Sequence, residues 1–490
     1  FYQFTILGKP SFTLHTAGFL APLSINLKLG LLESFVLLLA NIAGLMSAIF
    51  LFKKFIKTNI SGLILYLILI MGVNGLVMTR DLFNMFVFLE IVSISTYALI
   101  SFDENKKSFS AGFKYMLAGG ITSTFFLLGV TFIYYFTGNL NLDSIIGSSS
   151  LLAMKTGVFS VFILLISIFI ELKPFPANGW ALDVYEAVNS GIVSVIAVVN
   201  SAAILFVFYK ILPLLSSEYL SVFIGAGIVT FLFSNLIGIK QTNPKRLLGY
   251  SSIAQMGLVV AVVSFAFKIG LTDGMILLIA GGFFINHFLA KAGLFWLTGI
   301  VQKSNIKDWS ALRNNLPLLL LFGVLLFALA GLPPFPGFWA KWELVKILIA
   351  TKYYLVLTAI LVGSLFEAFY LFRWFGYAIK NESENEVEKQ PGLSQVFPIT
   401  VFVLLIFLVS FWIMTRVYLF NPVNYLPIAA IFGMYLINFL KSKFKAVISI
   451  AAVALYGYYL YPMETHLQSL FGIIFIIGSG IIIISTMNRK

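Results

Sequence analysis

Residues 171–180 read ELKPFPANGW, and they close an apolar run that starts at 156 with TGVFSVFILLISIFI. An acid, a base and two prolines interrupt what otherwise reads as a lipid-buried helix. Proline removes a backbone donor and clashes with the preceding turn, so it frees carbonyls inside the bilayer. Such backbone is tolerated at membrane depth only where protein covers it or a hydrated cavity receives it. A second interruption uses nearly the same words. PFPANGWA at 174–181 is echoed by PFPGFWA at 334–340, with Lys173 next to the first and Lys341 next to the second. Corresponding breaks in two halves of a chain point to an ion or substrate site built on an internal repeat. Prolines also kink membrane helices with no transport role, but that reading leaves the shared wording and the lysines unexplained.

Of the 490 residues 60% are hydrophobic and 10% charged, against roughly 25% charged in a soluble domain. The chain therefore reads as an all-α polytopic membrane protein. Spans of about 20 apolar residues fall near 31–52, 61–79, 82–102, 109–136, 157–189 (broken), 190–213, 219–239, 247–266, 272–300, 316–350 (broken), 353–377, 395–415, 424–440, 446–461 and 467–486, about fifteen in all. Residues 1–30 lack the basic start, apolar core and small-residue cleavage site of a signal peptide. With no cysteine the chain offers no disulfide and no thiolate for an iron–sulfur cluster. Its three histidines, His15, His287 and His466, make a poor basis for haem or zinc. We expect no cofactor on this chain.

The net charge of +13 is mostly topology, and nucleic acid needs no place in it. Alternate loops hold clusters such as Lys53, Lys54 and Lys57, then Lys303, Lys307 and Arg313, then Lys441, Lys443 and Lys445. The opposite loops hold only Arg80, Lys155, Lys210, Lys268, Lys352 and Arg416. The bias places residue 1 outside and residue 490 in the cytoplasm of a cell membrane. Lys114, Lys173, Lys291, Lys341 and Lys346 fall outside these loops, and Glu90 lies in mid-helix with no adjacent charge. Charge at membrane depth is costly, so these are functional candidates. A lysine near a helix end, as at Lys346 or Lys114, can instead snorkel to the interface. Glu90 and Lys341 have no such short path.

At this point the residues resemble a known family: the antiporter-like membrane subunits of respiratory complex I, Mrp-type sodium/proton antiporters and energy-converting membrane-bound hydrogenases. RDLFNMFVFLEIVSISTYALIS at 80–101 looks like the family's glutamate helix, with Glu90 in the key place. FKYMLAGGITSTFFLLGVTFIYYFTGNL at 113–140 resembles the helix after it, and NPKRLLGYSSIAQMGLVV at 243–260 the family's most recognisable signature. INHFLAKAGLFWLTG at 285–299 matches a His-x-x-x-Lys helix through His287 and Lys291, which share a face. ALAGLPPFPGFWAKWELV at 328–345 matches the second broken helix, ending in Lys341. Within the family, NGWALDVYEA at 178–187 leans towards archaeal hydrogenase-type or sulfur-reductase-type complexes.

The resemblance implies two inverted five-helix repeats, at 61–215 and 216–380, each a half-channel. An extracytoplasmic loop (1–30) and a first helix (31–60) precede them, and further helices (381–490) follow. It implies proton movement, or sodium/proton exchange, within a complex of other membrane subunits, through Glu90, Lys173, Lys291 and Lys341. Glu171, His287, Asn200, Ser201 and Lys114 support that line, and Pro174, Pro176, Pro333, Pro334 and Pro336 break the helices. A stand-alone Mrp-type subunit or a secondary transporter of an organic solute is the alternative. The chain departs from the pattern in three places. Glu171 stands where the first carrier lysine is usual, with Lys173 displaced by two. Ser201 occupies the place of a further lysine, where it and Asn200 can support water but hold no charge. The family's two helices ahead of the opening loop are not found there, whereas 424–462 reads like such a pair. Glu171 and Lys173, two apart, would point to opposite sides of a regular helix, but Pro174 disfavours helical geometry at Lys173 and frees that side chain to swing towards the break. Lys173 is then the carrier, Glu171 a local counter-charge and Glu90 the switching partner.

Overall fold

The computed structural model describes residues 2–417 apart from 6, 17, 58–59, 103–104 and 381–390. The three short runs expected beyond 417, and both chain ends, lie outside these residues. Residues up to Ile406 form one compact unit, and the described residues from Phe407 on fall outside it.

Helices account for nearly everything in the first unit. We label the main ones α1 (Leu31–Lys57), α2 (Ile60–Met78), α3 (Leu82–Ser101), α4 (Lys106–Thr137), α5 (Lys155–Glu171), α6 (Gly179–Ala187), α7 (Ser190–Leu214), α8 (Leu220–Gly238), α9 (Pro244–Ile269), α10 (Asp273–Val301), α11 (Leu316–Ala330), α12 (Pro336–Ala350), α13 (Tyr354–Ala378) and α14 (Leu393–Arg416). Ten helices among the described residues are long and apolar enough to cross a membrane. Both runs read as broken do break: α5 stops at Glu171 and α6 resumes at Gly179, while α11 stops at Ala330 and α12 resumes at Pro336.

The helix ends are written locally. Asp81 accepts from Asn84 N at 2.8 Å to start α3, Asn105 and Ser108 form a capping box on α4, and Asn243 with Pro244 opens α9. The departure from an all-helical chain is a small antiparallel sheet, Phe12–His15 with Asn26–Leu29, which lies ahead of the first span. There extended backbone need not meet lipid. It is tied to the 79–82 turn, where Arg80 N donates to Asn26 O, and Asn141 Nδ2 donates to Asn26 Oδ1. Arg80 also binds Asp143 in the short helix Leu142–Gly147. Partial burial would raise that carboxyl, but the Arg80 hydrogen bond and charge hold it below its usual range.

Burial separates the helices into a core and a rim. In α7 every residue of the apolar window is buried, and α9 and α10 are covered over most of their lengths, whereas α13 is only 28% buried. A helix apolar on all sides and buried on all sides is a core element. The three central helices also carry Asn200, Ser201, Ser251, Gln255, His287 and Lys291, polar groups described below. Lipid offers helices no hydrophobic reason to pair, so close backbone approach carries much of the packing. The tightest such approach joins α8 to α9. A Cβ on Gly227 would stand 2.5 Å from Gly257 O, and one on Gly257 would stand 2.8 Å from Gly227 O. Gly257→Val should therefore push α8 from α9 and cost about 1–3 kcal/mol, seen as a lowered thermal midpoint. Gly120→Ala, whose Cβ would meet nothing within 4 Å, should leave that midpoint unchanged.

Candidate functional site

The first break gathers a cluster at the Tyr115–Trp180 ring pair, whose centroids are 5.0 Å apart. Helix α5 ends at Glu171, and Lys173 then turns left-handed with φ 65°. A side chain with a Cβ pays roughly 1–2 kcal/mol for that conformation. Lys173 thus lies outside the helix that carries Glu171, as the proline after it predicts. Both are 4% exposed. Glu171 Oε1 accepts from Tyr115 Oη at 2.8 Å, while Oε2 is buried without a protein partner. Lys173 Nζ donates to Ser201 Oγ at 3.4 Å and lies 6.0 Å from the Trp180 ring centroid. Ser201 follows Val195–Asn200, where α7 widens to π-helical hydrogen bonding, a feature frequent at functional sites. Asn200 Nδ2 donates to Thr96 Oγ1 at 2.8 Å, and its Oδ1 is unpartnered.

The second cluster lies between α9 and α10. His287 and Lys291 both face α9, His287 with Nε2 3.4 Å from Ser252 Oγ and Lys291 donating to Ser251 Oγ at 2.7 Å. Lys291 is fully buried and His287 1% exposed, with its Nδ1 unpartnered. Ser251 Oγ in turn donates to Glu367 Oε1 at 2.9 Å, and Gln255 Nε2 donates to Oε2 at 2.6 Å. Lys341 sits just past the second break, half-buried, with Nζ in the notch left by Gly331 and within electrostatic reach of Glu367.

The remaining expected residues are placed differently. Glu90 is half-buried, in electrostatic reach of Glu171, and among the described residues no hydrogen bond or ion pair joins it to Lys173. Lys114 is half-exposed and bonds Asp183 at 2.5 Å, in a network completed by Arg246 on Asp183 and Glu186. It belongs to an ion-pair group where α4, α6 and α9 meet. Lys346 pairs with Glu343 at 2.7 Å. Glu343, the acid nearest Lys341 in sequence, therefore has another cation beside it, and α13 supplies Lys341 with Glu367. Pro174 and Pro176 lie between α5 and α6, Pro333 and Pro334 between α11 and α12, and Pro336 opens α12.

Two residues escaped the sequence reading. Glu367 carries the signal that singled out Glu90, an acid in mid-run, and that test finds it once applied to α13. Lys210 looked like a loop residue because its span seemed to end there. Instead it is 3% exposed and donates to the carbonyls of Leu76, Val77 and Thr79 at 2.9, 3.1 and 2.9 Å. It thus satisfies the orphan carbonyls at the end of α2.

Residues 79–367 match the family model described as NADH:quinone oxidoreductase/Mrp antiporter, TM. NADH-quinone oxidoreductase subunit N of Desulforudis audaxviator is 29% identical over 300 residues, covering 58% of each chain. The chain thus spans under two thirds of that relative. Subunit N of Moorella thermoacetica is 32% identical over 65% of this chain and 68% of that one. Among solved structures, a chain of the membrane-bound sulfane sulfur reductase, an archaeal respiratory membrane complex, superposes with a TM-score of 0.74 at 27% identity, covering 84% of this chain and 85% of that one. With more than half its length inside the family model, this chain belongs to the NADH:quinone oxidoreductase/Mrp antiporter family of transmembrane subunits.

Proposed function

We propose that the chain is an ion-translocating subunit of a multi-subunit respiratory membrane complex, moving protons, or exchanging sodium for protons, along a line of buried side chains. The observation that carries this reading is the pair of ionisable clusters inside the helix bundle, Glu171 with Lys173 and Lys291 with His287. Each contains a buried polar atom that no protein group satisfies. Packing alone gives no reason to bury ionisable groups together, whereas ionisable side chains inside a membrane mark ion pathways. Glu90, Lys173, Lys291 and Lys341 are the carriers or switches; Glu171, Asn200, Ser201 and His287 keep the path polar between them. Redox chemistry, as in the reductases among the relatives, belongs to other subunits, since a chain without cysteine has no thiolate for an iron–sulfur cluster.

Two inverted repeats, 61–215 and 216–380, fit the order of elements. Helices α2 to α7 and α8 to α13 each run through three spans, a broken span and a closing span. The closing helix of each also caps the opening one. Lys210 binds carbonyls at the end of α2, and Arg373 binds Ile239 O and Gln241 O after α8. With α14 and the three runs beyond it, the total is about fifteen spanning segments. Residues 1–30 and 31–60 precede the repeats, and the lysine-rich loops face the cytoplasm.

Orientation can be read in a chain that has no cysteine of its own. Cysteines placed at Lys54 and Lys307 should resist impermeant thiol reagents in intact cells and react once the cells are opened. Labelling of both from outside would invert the topology.

Transport is measured as dye-reported proton flux into vesicles holding the assembled complex. Lys341→Ala should abolish it without loss of assembly, and Lys341→Arg should fail as well, because arginine does not release its proton in this range. Lys173→Gly removes the amine but also the left-handed strain of about 1 kcal/mol, so stability should hold while flux falls to background. Glu171→Gln should slow flux and move its pH optimum. Normal flux with Lys173→Gly, together with none in Glu171→Gln, would make the acid the carrier.

A further inference from the structure

Glu367 has no part in the carrier line just described, yet it is 1% exposed in the middle of α13. An unpaired carboxylate there carries a heavy desolvation cost that an apolar side chain of the same size would avoid. What it faces is specific. Helix α9 supplies Ser251 and Gln255, α10 supplies Lys291, α12 supplies Lys341, and α13 itself supplies Tyr370, whose hydroxyl is turned away to Asn235 Oδ1 at 2.8 Å. Among the described residues no ion pair joins Lys291 directly to Glu367. The Ser251 hydroxyl stands between them, 2.7 Å from Lys291 Nζ and 2.9 Å from Glu367 Oε1. Gln255 holds the other carboxylate oxygen at 2.6 Å, so Oε1 stays aimed at Ser251.

We propose that Glu367 is the acid partner of Lys291 and that Ser251 Oγ passes the proton between them. The inference rests on the ion-translocating reading above. The step balances without any further reagent. Lys291 ammonium gives one proton to Ser251 Oγ as the serine hydroxyl proton moves to Glu367 Oε1. An ion pair becomes a neutral amine beside a neutral carboxylic acid, and the serine is unchanged. Lys341 is within electrostatic reach of the same carboxyl, so a protonated Glu367 can supply it when its amine is neutral. Glu367 is then the joint between the two lysines of the second half, and one carboxylate balances whichever lysine is charged.

The test uses the assembled complex in vesicles under an imposed pH gradient, with a trapped pH-sensitive dye as the readout. Ser251→Ala should cut proton flux about 100-fold with assembly intact, and Ser251→Thr, which keeps the hydroxyl, should restore it. Glu367→Gln keeps the shape and can still accept from Ser251 and Gln255, and it should stop flux. If that variant fails to assemble, the two serine variants decide. A role in packing alone predicts no difference between Ser251→Ala and wild type, and that result overturns the relay, as does wild-type flux in Glu367→Gln. Lys341→Ala separates the two levels. Should it block flux while Ser251→Ala and Glu367→Gln conduct freely, only the relay is wrong; should it too conduct freely, the ion-translocating reading has failed.

Discussion

Charge that leaves water must be answered by neighbours, and this constraint orders the whole bundle. Insertion scales assign roughly 2.5–3.5 kcal/mol to each charged side chain at the centre of a spanning helix. Glu171, Lys173, Lys291 and Glu367 together would therefore cost on the order of 10 kcal/mol, as much as the entire stability of an ordinary domain. None of them stands alone. Tyr115 answers Glu171, Ser201 answers Lys173, and Ser251 with Gln255 lies between Lys291 and Glu367. Every one of these partners comes from a different helix than the charge it meets. The packing of α7, α9 and α10 at the centre is what brings them into reach.

The helix breaks are part of the same solution. Ending α5 at Glu171 lets the next residues leave the helical path, and the left-handed turn at Lys173 swings its amine to the side where Ser201 waits. Gly331 does the corresponding work at the end of α11, with φ 74° and no side chain to obstruct the Lys341 amine. Elsewhere the cost of ended helices is met by cations. Lys210 takes three carbonyls at the end of α2 and Arg373 takes two after α8. These basic residues hold the bundle shut, so burial of a lysine in this chain does not by itself mark a carrier. The distinction lies in the partners. Lys210 meets only fixed backbone acceptors, whereas Lys173 and Lys291 each meet a hydroxyl that can both accept and donate, Lys291 with the more distant Leu248 carbonyl beside it.

Much of this was legible in the sequence, for physical reasons. Apolar runs of spanning length, prolines inside two of them and charges with no neighbours need no tertiary information to be noticed. The places where reading failed are those where a third element decides. Pro174 signals that the helix does not continue through Lys173, but which hydroxyl the freed amine meets depends on Ser201 in α7. Lys210 stands near the end of a span, and only the position of α2 shows that its amine points inward. Glu367 met the same test as Glu90 but stands outside the stretches whose wording drew attention. Its partners are Ser251 and Gln255, more than 100 residues away. Lys114 bonds Asp183, which also binds Arg246, an ion-pair group that its own helix does not announce.

The central claim is that the buried carboxyls and amines change protonation while ions move. Infrared difference spectroscopy on oriented membranes of the assembled complex, with the pH gradient imposed and then collapsed, addresses it directly. The account predicts a protonated-carboxyl band that appears and disappears with the gradient, shifts in heavy water and is lost in Glu171→Gln or Glu367→Gln. A carboxyl region that stays unchanged while wild-type flux proceeds would mean that the ions travel elsewhere and that these clusters only hold the helices together.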